Sequence, residues 1–168
     1  MTYGMLIDLK KCIGCHACAV ACKEAHGTPP KVTRAHVEIE YVGNYPDVRM
    51  TAYPMLCMHC ENAPCVEVCP TGASFKREDG IVAINKYEEV MYPTMPKGTV
   101  DKCTFCADRI DAGDGRVQAC VAACPAGARV FGELDDLRSQ AEAAEGFQLL
   151  SEEGTNPSVW YLPKKVNA

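Results

Sequence analysis

The spacing of the cysteines constrains this chain more than any other feature. Twelve cysteines stand among 168 residues and fall into three groups of four. Cys12, Cys15, Cys18 and Cys22 are spaced C-x2-C-x2-C-x3-C. Cys57, Cys60, Cys65 and Cys69 are spaced C-x2-C-x4-C-x3-C, and Cys103, Cys106, Cys120 and Cys124 are spaced C-x2-C-x13-C-x3-C. Each group opens with C-x2-C and closes with C-x3-C, so the pattern is an internal repeat with loop insertions. The repeat runs past the cysteines. Cys69-Pro70-Thr71-Gly72-Ala73 matches Cys124-Pro125-Ala126-Gly127-Ala128, whereas Lys23 follows the first quartet where a proline would be expected.

Two residues between cysteines let successive thiolates converge on one small object. A C-x2-C-x2-C loop wraps three corners of a [4Fe–4S] cluster, and the next cysteine, three residues on, starts a helix and points away. In two-cluster proteins of this kind that fourth cysteine ligates the neighbouring cluster and proline follows it. All twelve cysteines are therefore candidate ligands, enough for three [4Fe–4S] clusters. Zinc also takes C-x2-C pairs, but it requires neither the C-x3-C-P ending nor the tight run at 12–22. A disulfide framework calls for a secreted chain, and no signal segment is legible. His16 and His59 lie inside C-x2-C loops and read as exposed loop residues, while His26 and His36 carry no pattern. Lys10, Lys11, Lys23, Lys76, Arg77, Lys102, Arg109 and Arg129 flank the quartets. They read first as a solvated face, and alternatively as charges that offset the clusters and raise their reduction potentials.

The formal charge is −5 with every cysteine neutral. Ligating thiolates and their cluster cores together would take it to about −11. So acidic a chain, with few aromatics, is not expected to bind nucleic acid. No apolar run approaches the roughly 20 residues of a membrane span. With no twin-arginine pair or signal h-region, the chain is expected to be cytoplasmic, or exported only in complex with a signal-bearing partner.

Short β segments punctuate the quartets. Met5-Leu6-Ile7 precedes the first, and Val37, Ile39 and Tyr41 alternate with polar residues as in a half-buried strand. Ile81 to Ile84 follows the second quartet and Arg129 to Phe131 the third. Leu134, Leu137, Ala141 and Ala144 have helical spacing behind acidic Glu133, Asp135 and Asp136, with Gly146 as a stop. The tail from Gly154 to Pro163 reads as extended and carries Trp160. Such a segment suits docking on a partner, or alternatively closes the chain's own fold. Frequent Pro and Gly predict a loop-rich protein.

Several segments carry a resemblance. These are Cys12-Ile13-Gly14-Cys15-His16-Ala17-Cys18, the whole stretch from Cys57 to Ala73, and Lys76-Arg77-Glu78-Asp79-Gly80-Ile81-Val82. With Asp101-Lys102-Cys103-Thr104-Phe105-Cys106 and the tail, they resemble the iron–sulfur (beta) electron-transfer subunits of the dimethyl sulfoxide reductase and polysulfide reductase family. The resemblance implies ferredoxin-like lobes that bind no substrate. Such subunits pass electrons between a molybdenum- or tungsten-pterin catalytic subunit and a quinone-reactive membrane anchor or another carrier. The same modules occur in free-standing polyferredoxins, hydrogenase subunits and tungsten aldehyde oxidoreductases, which remain alternatives.

One departure is clear. Subunits of this family usually carry four quartets, and the stretch from Asn85 to Thr99, where the other would stand, has no cysteine. A three-cluster count is similar to that of the small subunit of pyrogallol–phloroglucinol transhydroxylase. The expectation is an α+β protein with a ferredoxin-like lobe from residues 1–35 and 97–132, holding two clusters. A reduced ferredoxin-like lobe at 45–96 is inserted with one cluster, and 133–168 forms a C-terminal helix and extended tail. The two-cluster arrangement implies exchange: Cys12, Cys15, Cys18 and Cys124 on one cluster, Cys103, Cys106, Cys120 and Cys22 on its neighbour. Cys57, Cys60 and Cys65 are left without an exchange partner. Cys69 is expected to turn inward and complete a [4Fe–4S] cluster with them; the alternatives are a three-iron cluster with Cys69 free, or no stable cluster.

Overall fold

The structure is a computed structural model, and it describes residues 1–85 and 100–164. The cysteine-free stretch after Asn85 therefore lies outside the described residues up to residue 99.

Strand β1 (Tyr3–Asp8) is the middle of a three-stranded sheet. It pairs antiparallel with β6 (Arg129–Glu133), setting Met5 opposite Phe131 and Ile7 opposite Arg129. On its other edge it pairs parallel with β7 (Val159–Leu162), setting Leu6 opposite Trp160. Met5, Leu6 and Ile7 are all buried, which requires cover on both faces of the sheet. Helix α5 (Leu134–Ala143) supplies one cover: Leu137 and Ala141, four residues apart on one side of the helix, pack on Leu6 with Trp160 beside them. Asp135 and Asp136 in its first turn complement the helix dipole. The other face, with Met5 and Ile7, looks onto the cysteine-bearing loops, where Cys18, Cys103, Phe105 and Cys120 join the same core.

Those loops hold short elements: α1 (Ala17–Ala25), α2 (Pro64–Glu67), α3 (Ala107–Ala112) and α4 (Ala119–Ala122). Pro64 opens α2 where a missing N–H costs nothing. A two-strand ladder of β4 (Ser74–Lys76) and β5 (Val82–Ile84) follows the second quartet. Strands β2 (His36–Val42) and β3 (Arg49–Met55) form a hairpin in register from Val37 opposite Pro54 to Val42 opposite Arg49. Its expected half-buried face exists only at the base. Val37 is 9% exposed, but Ile39 is 39% and Tyr41 66%, because the hairpin runs out past the body that covers Val37.

The tail is not a free docking segment. Ser158 donates its backbone N–H to Met58 and its hydroxyl to the His59 carbonyl at 2.8 Å, while Glu61 and Asn62 donate to the carbonyls of Asn156 and Thr155. Tyr161 is fully buried, and its hydroxyl donates to the Pro54 carbonyl at 3.0 Å. The extended aromatic segment thus straps the second-quartet loop to the central sheet. A run of rings makes the same connection from within. Tyr3 stacks on Phe131 at 5.2 Å, Phe131 meets Phe105 edge-on at 5.3 Å, and Phe105 stacks on His59 at 3.7 Å. Removing residues 154–168 should therefore lower the melting temperature and release bound iron. Tyr161→Ala alone should cost about 3–5 kcal/mol, read by denaturant unfolding.

Candidate metal centres

The C-x2-C loops that open the three quartets share one backbone device. The residue before the second cysteine has a left-handed backbone in each: Gly14 at φ 69°, His59 at 45° and Phe105 at 50°. Glycine takes this freely, but an aromatic residue there is strained unless its surroundings hold it. The stacked rings of His59 and Phe105 hold each other. The turn also aims a backbone N–H at the first thiol of each loop. Gly14 bonds Cys12, His59 donates to Cys57 Sγ at 3.4 Å, and Phe105 bonds Cys103.

Helices then divide the cysteines between two cavities. Cys18 and Cys22 sit four residues apart on α1, yet Cys18 joins Cys12, Cys15 and Cys124 around one cavity. Cys22 joins Cys103, Cys106 and Cys120 around the other. The partner helix does the reverse: Cys120 on α4 faces the second cavity and Cys124, just beyond its end, the first. Each is a small pocket walled by its four cysteines and by Arg129. Burial lifts the thiols above their ordinary range, Cys22 to about 11 and Cys103 to about 12, and neighbouring cysteines add to the rise. Cys12, Cys106 and Cys120 are raised for the same first reason, burial. Such a set stays ionised only on a cationic core, because metal ligation deprotonates thiols.

The chemistry of this donor set fits an iron–sulfur cubane. Among the described residues no three His, Cys, Asp or Glu side chains close in on a single metal ion. Thiolates on zinc would lie about 2.3 Å from it. Here four cysteines instead line each of two neighbouring pockets, the ligand number of a cubane. Buried polar atoms also await a partner: among the described residues, Arg129 Nε and Nη2 have none.

The second quartet is laid out differently. Cys57, Cys65 and Cys69 line a wider, solvent-open cleft that Cys103 also borders, and Cys60 acts electrostatically on Cys65. Cys69 reaches this cleft and is half-buried there. The Ser74 N–H at 3.4 Å and then the Thr71 hydroxyl at 3.6 Å bring its pKa down to about 6. Cys124 receives the Ala128 N–H at 3.2 Å in the matching turn, and both turns rely on a glycine at positive φ, Gly72 and Gly127.

The histidine expectation holds for His16, which is exposed, and fails for His59, which is fully buried. His59 Nδ1 accepts the Val82 N–H at 3.0 Å, so its proton belongs on Nε2, which has no partner among the described residues. Burial, then the Lys102 charge, keeps the ring neutral. No spacing signal marks this; only the Phe105 stack explains it. His26, patternless in sequence, lies 3.3 Å from Cys106 Sγ. Among the flanking basic residues, Lys10 and Lys11 are exposed. Lys76, Arg77 and Arg109 are tied to carbonyls or carboxylates, and Lys102 Nζ bonds the carbonyls of Val82 and Cys103. Arg129, in contrast, is 3% exposed. Arg34, not singled out from the sequence, has a 4% exposed side chain, pairs with Asp101 at 2.6 Å and acts on Cys22 and Cys106.

These centres define a class of protein. Residues 48–134 match one 4Fe-4S dicluster domain family, and residues 11–73 match a second. The thiosulfate reductase electron transfer subunit of Salmonella typhi is 43% identical over 82% of this chain and 79% of its own. A sulfite dehydrogenase subunit of Allochromatium vinosum is 36% identical, covering 96% of this chain and 83% of its own. The arsenate respiratory reductase iron-sulfur subunit of a Shewanella species is 34% identical, with 96% of each chain covered. The chain belongs to the iron–sulfur electron-transfer subunits of the dimethyl sulfoxide reductase family of molybdopterin oxidoreductases, and [4Fe–4S] clusters are its cofactors.

Asp101→Asn should leave the Arg34 charge buried without its counter-ion. The expected cost is about 3–5 kcal/mol, measured as a fall in unfolding free energy, with Arg34→Lys milder.

Proposed function

We propose that this chain carries three [4Fe–4S] clusters and relays electrons between a large molybdopterin- or tungstopterin-containing catalytic subunit and a second redox partner. That partner is a quinone-reactive membrane anchor or a soluble carrier. One observation carries the reading: two cavities, each lined by four cysteines, three from one quartet and one from the other. This supports ligation of one cluster by Cys12, Cys15, Cys18 and Cys124, and of its neighbour by Cys103, Cys106, Cys120 and Cys22. Cys57, Cys60, Cys65 and Cys69 would hold the third, with Cys69 completing the set from the cleft wall. The fold we infer is ferredoxin-like, with 1–35 and 97–132 as the lobe of the paired clusters and 45–96 as the reduced, inserted lobe. The site of action is the cytoplasm, or an exported complex whose partner bears the signal.

When bound, the clusters take up and release single electrons. The residues of this chain supply the rest. Gly14, His59 and Phe105 direct N–H groups at ligand sulfurs. Met5, Ile7 and Phe105 exclude water from one side. Cys103 borders both its own cavity and the second-quartet cleft, so the third centre adjoins the pair.

Anaerobically prepared protein should contain about 12 iron and about 12 acid-labile sulfide per chain. Stoichiometric zinc without sulfide overturns the reading. Cys124→Ala should remove the same spectroscopic centre as Cys12→Ala, and Cys22→Ala the same centre as Cys103→Ala. Cys69→Ala should remove or convert one further centre and leave that pair intact. Full iron and sulfide with an unchanged spectrum would show that Cys69 is not a ligand.

A further inference from the structure

Among the described residues, Arg129 is the one basic arginine or lysine side chain that lines both four-cysteine cavities. It comes off the first position of β6, opposite Ile7, and is 3% exposed. Nη1 lies 3.5 Å from the Met5 sulfur, a weak acceptor, while Nε and Nη2 are buried with no hydrogen-bond partner among the described residues. No ion pair among the described residues includes it. Arginine cannot shed its proton, so this is a permanent buried cation, and a buried cation without a counter-charge is strongly disfavoured. The opposite charges in reach are those of the ligand sets. Burial works against the guanidinium charge, but Cys120 and then Cys18, one from each cavity, favour it.

We propose that Arg129 is a shared tuning residue for the two paired clusters. Its guanidinium lies between them, donates to sulfur on both sides, and raises both reduction potentials while leaving the third centre outside its reach. The inference rests on the ligand sets proposed above. Its physical basis is direct. A cubane core with four thiolates is net negative, and an added electron makes it more so; a fixed cation nearby stabilises the reduced form. Because one guanidinium serves both cavities, an electron on either cluster draws on the same charge.

The repeat sharpens the contrast. In Cys124-Pro125-Ala126-Gly127-Ala128 the next residue is Arg129; in Cys69-Pro70-Thr71-Gly72-Ala73 it is Ser74. Ser74 offers its backbone N–H to Cys69 and carries no charge. Lys102, which borders the second-quartet cleft, has its ammonium engaged by the carbonyls of Val82 and Cys103. The paired cavities thus share a buried cation that no carboxylate among the described residues pairs with and that Cys120 and Met5 sulfur face, where the matching position after the second quartet holds a neutral serine.

The test is a redox titration of the intact, loaded chain followed by electron paramagnetic resonance, on wild type, Arg129→Gln and Arg129→Lys. Arg129→Gln should move two of the three midpoint potentials to more negative values and leave the third in place, with iron and sulfide unchanged. Arg129→Lys, which keeps the charge and loses the planar fork, should shift the same two by less. If Arg129→Gln does not retain iron, Arg129→Lys decides: a shift confined to the pair supports the role. Unchanged potentials in a fully loaded variant overturn it, as does an equal shift of all three. Loss of clusters from both variants also overturns it, since Arg129 would then be structural. A wild-type chain holding well under about 12 iron would instead overturn the ligand sets beneath it.

Discussion

Everything in the main body depends on the crossing of cysteines between two cavities. Cys18 and Cys22 lie one helical turn apart on α1 but serve different cavities, and Cys120 and Cys124 do the same around α4. Neither cavity is complete without a segment about a hundred residues away in the chain. The β1–β6 pairing enforces that meeting, since β1 leads into the first quartet and β6 leaves the third. Thiols so buried resist ionisation, as the upward shifts of Cys22 and Cys103 show. Ligation by a cationic core would deprotonate these thiols, and the paired strands bring them together, so cofactor binding is expected to add to folding stability.

The segment around the second quartet is joined to this body by three connections. Backbone hydrogen bonds from Glu61, Asn62 and Ser158 tie it to the tail. The His59–Phe105 stack links the C-x2-C loops of the second and third quartets. Cys103 stands on the wall that the cleft and one cavity share. The three cysteine sites consequently form a series, with the Arg129 guanidinium bordering the first two and Cys103 bordering the last two. Among the described residues this segment's sheet is the three-residue pairing of β4 with β5, too little to be stable alone. Its order comes from the strap and the rings.

Exposed apolar residues cluster on the β2–β3 hairpin, including Tyr41, Val42 and Tyr45. Val37 and Pro54 at its base help line the cavity of Cys12, Cys15, Cys18 and Cys124. The hairpin is thus a cover for that site at one end and open surface at the other, which explains why its alternating pattern did not translate into a half-buried strand.

The sequence by itself determined the chemistry. Cysteine spacing is local, so C-x2-C states which thiolates can converge, C-x3-C-P which one points away, and the two together what kind of cofactor they suit. Met5 to Ile7, Arg129 to Phe131 and the Leu137–Ala141 helix were legible for the same reason, since period and composition are local properties. Tertiary structure decided what depends on distant partners. Tyr161 is extended and aromatic in either reading of the tail; only its pairing with β1 and its bond to Pro54 make it core. His59 has no apolar pattern around it, and its burial follows from a ring contributed 46 positions later by Phe105. Arg129 looks in sequence like any of eight flanking cations. Its distinction arises because strand pairing sets it between two cavities built from opposite parts of the chain, where no carboxylate among the described residues pairs with it and sulfur surrounds it.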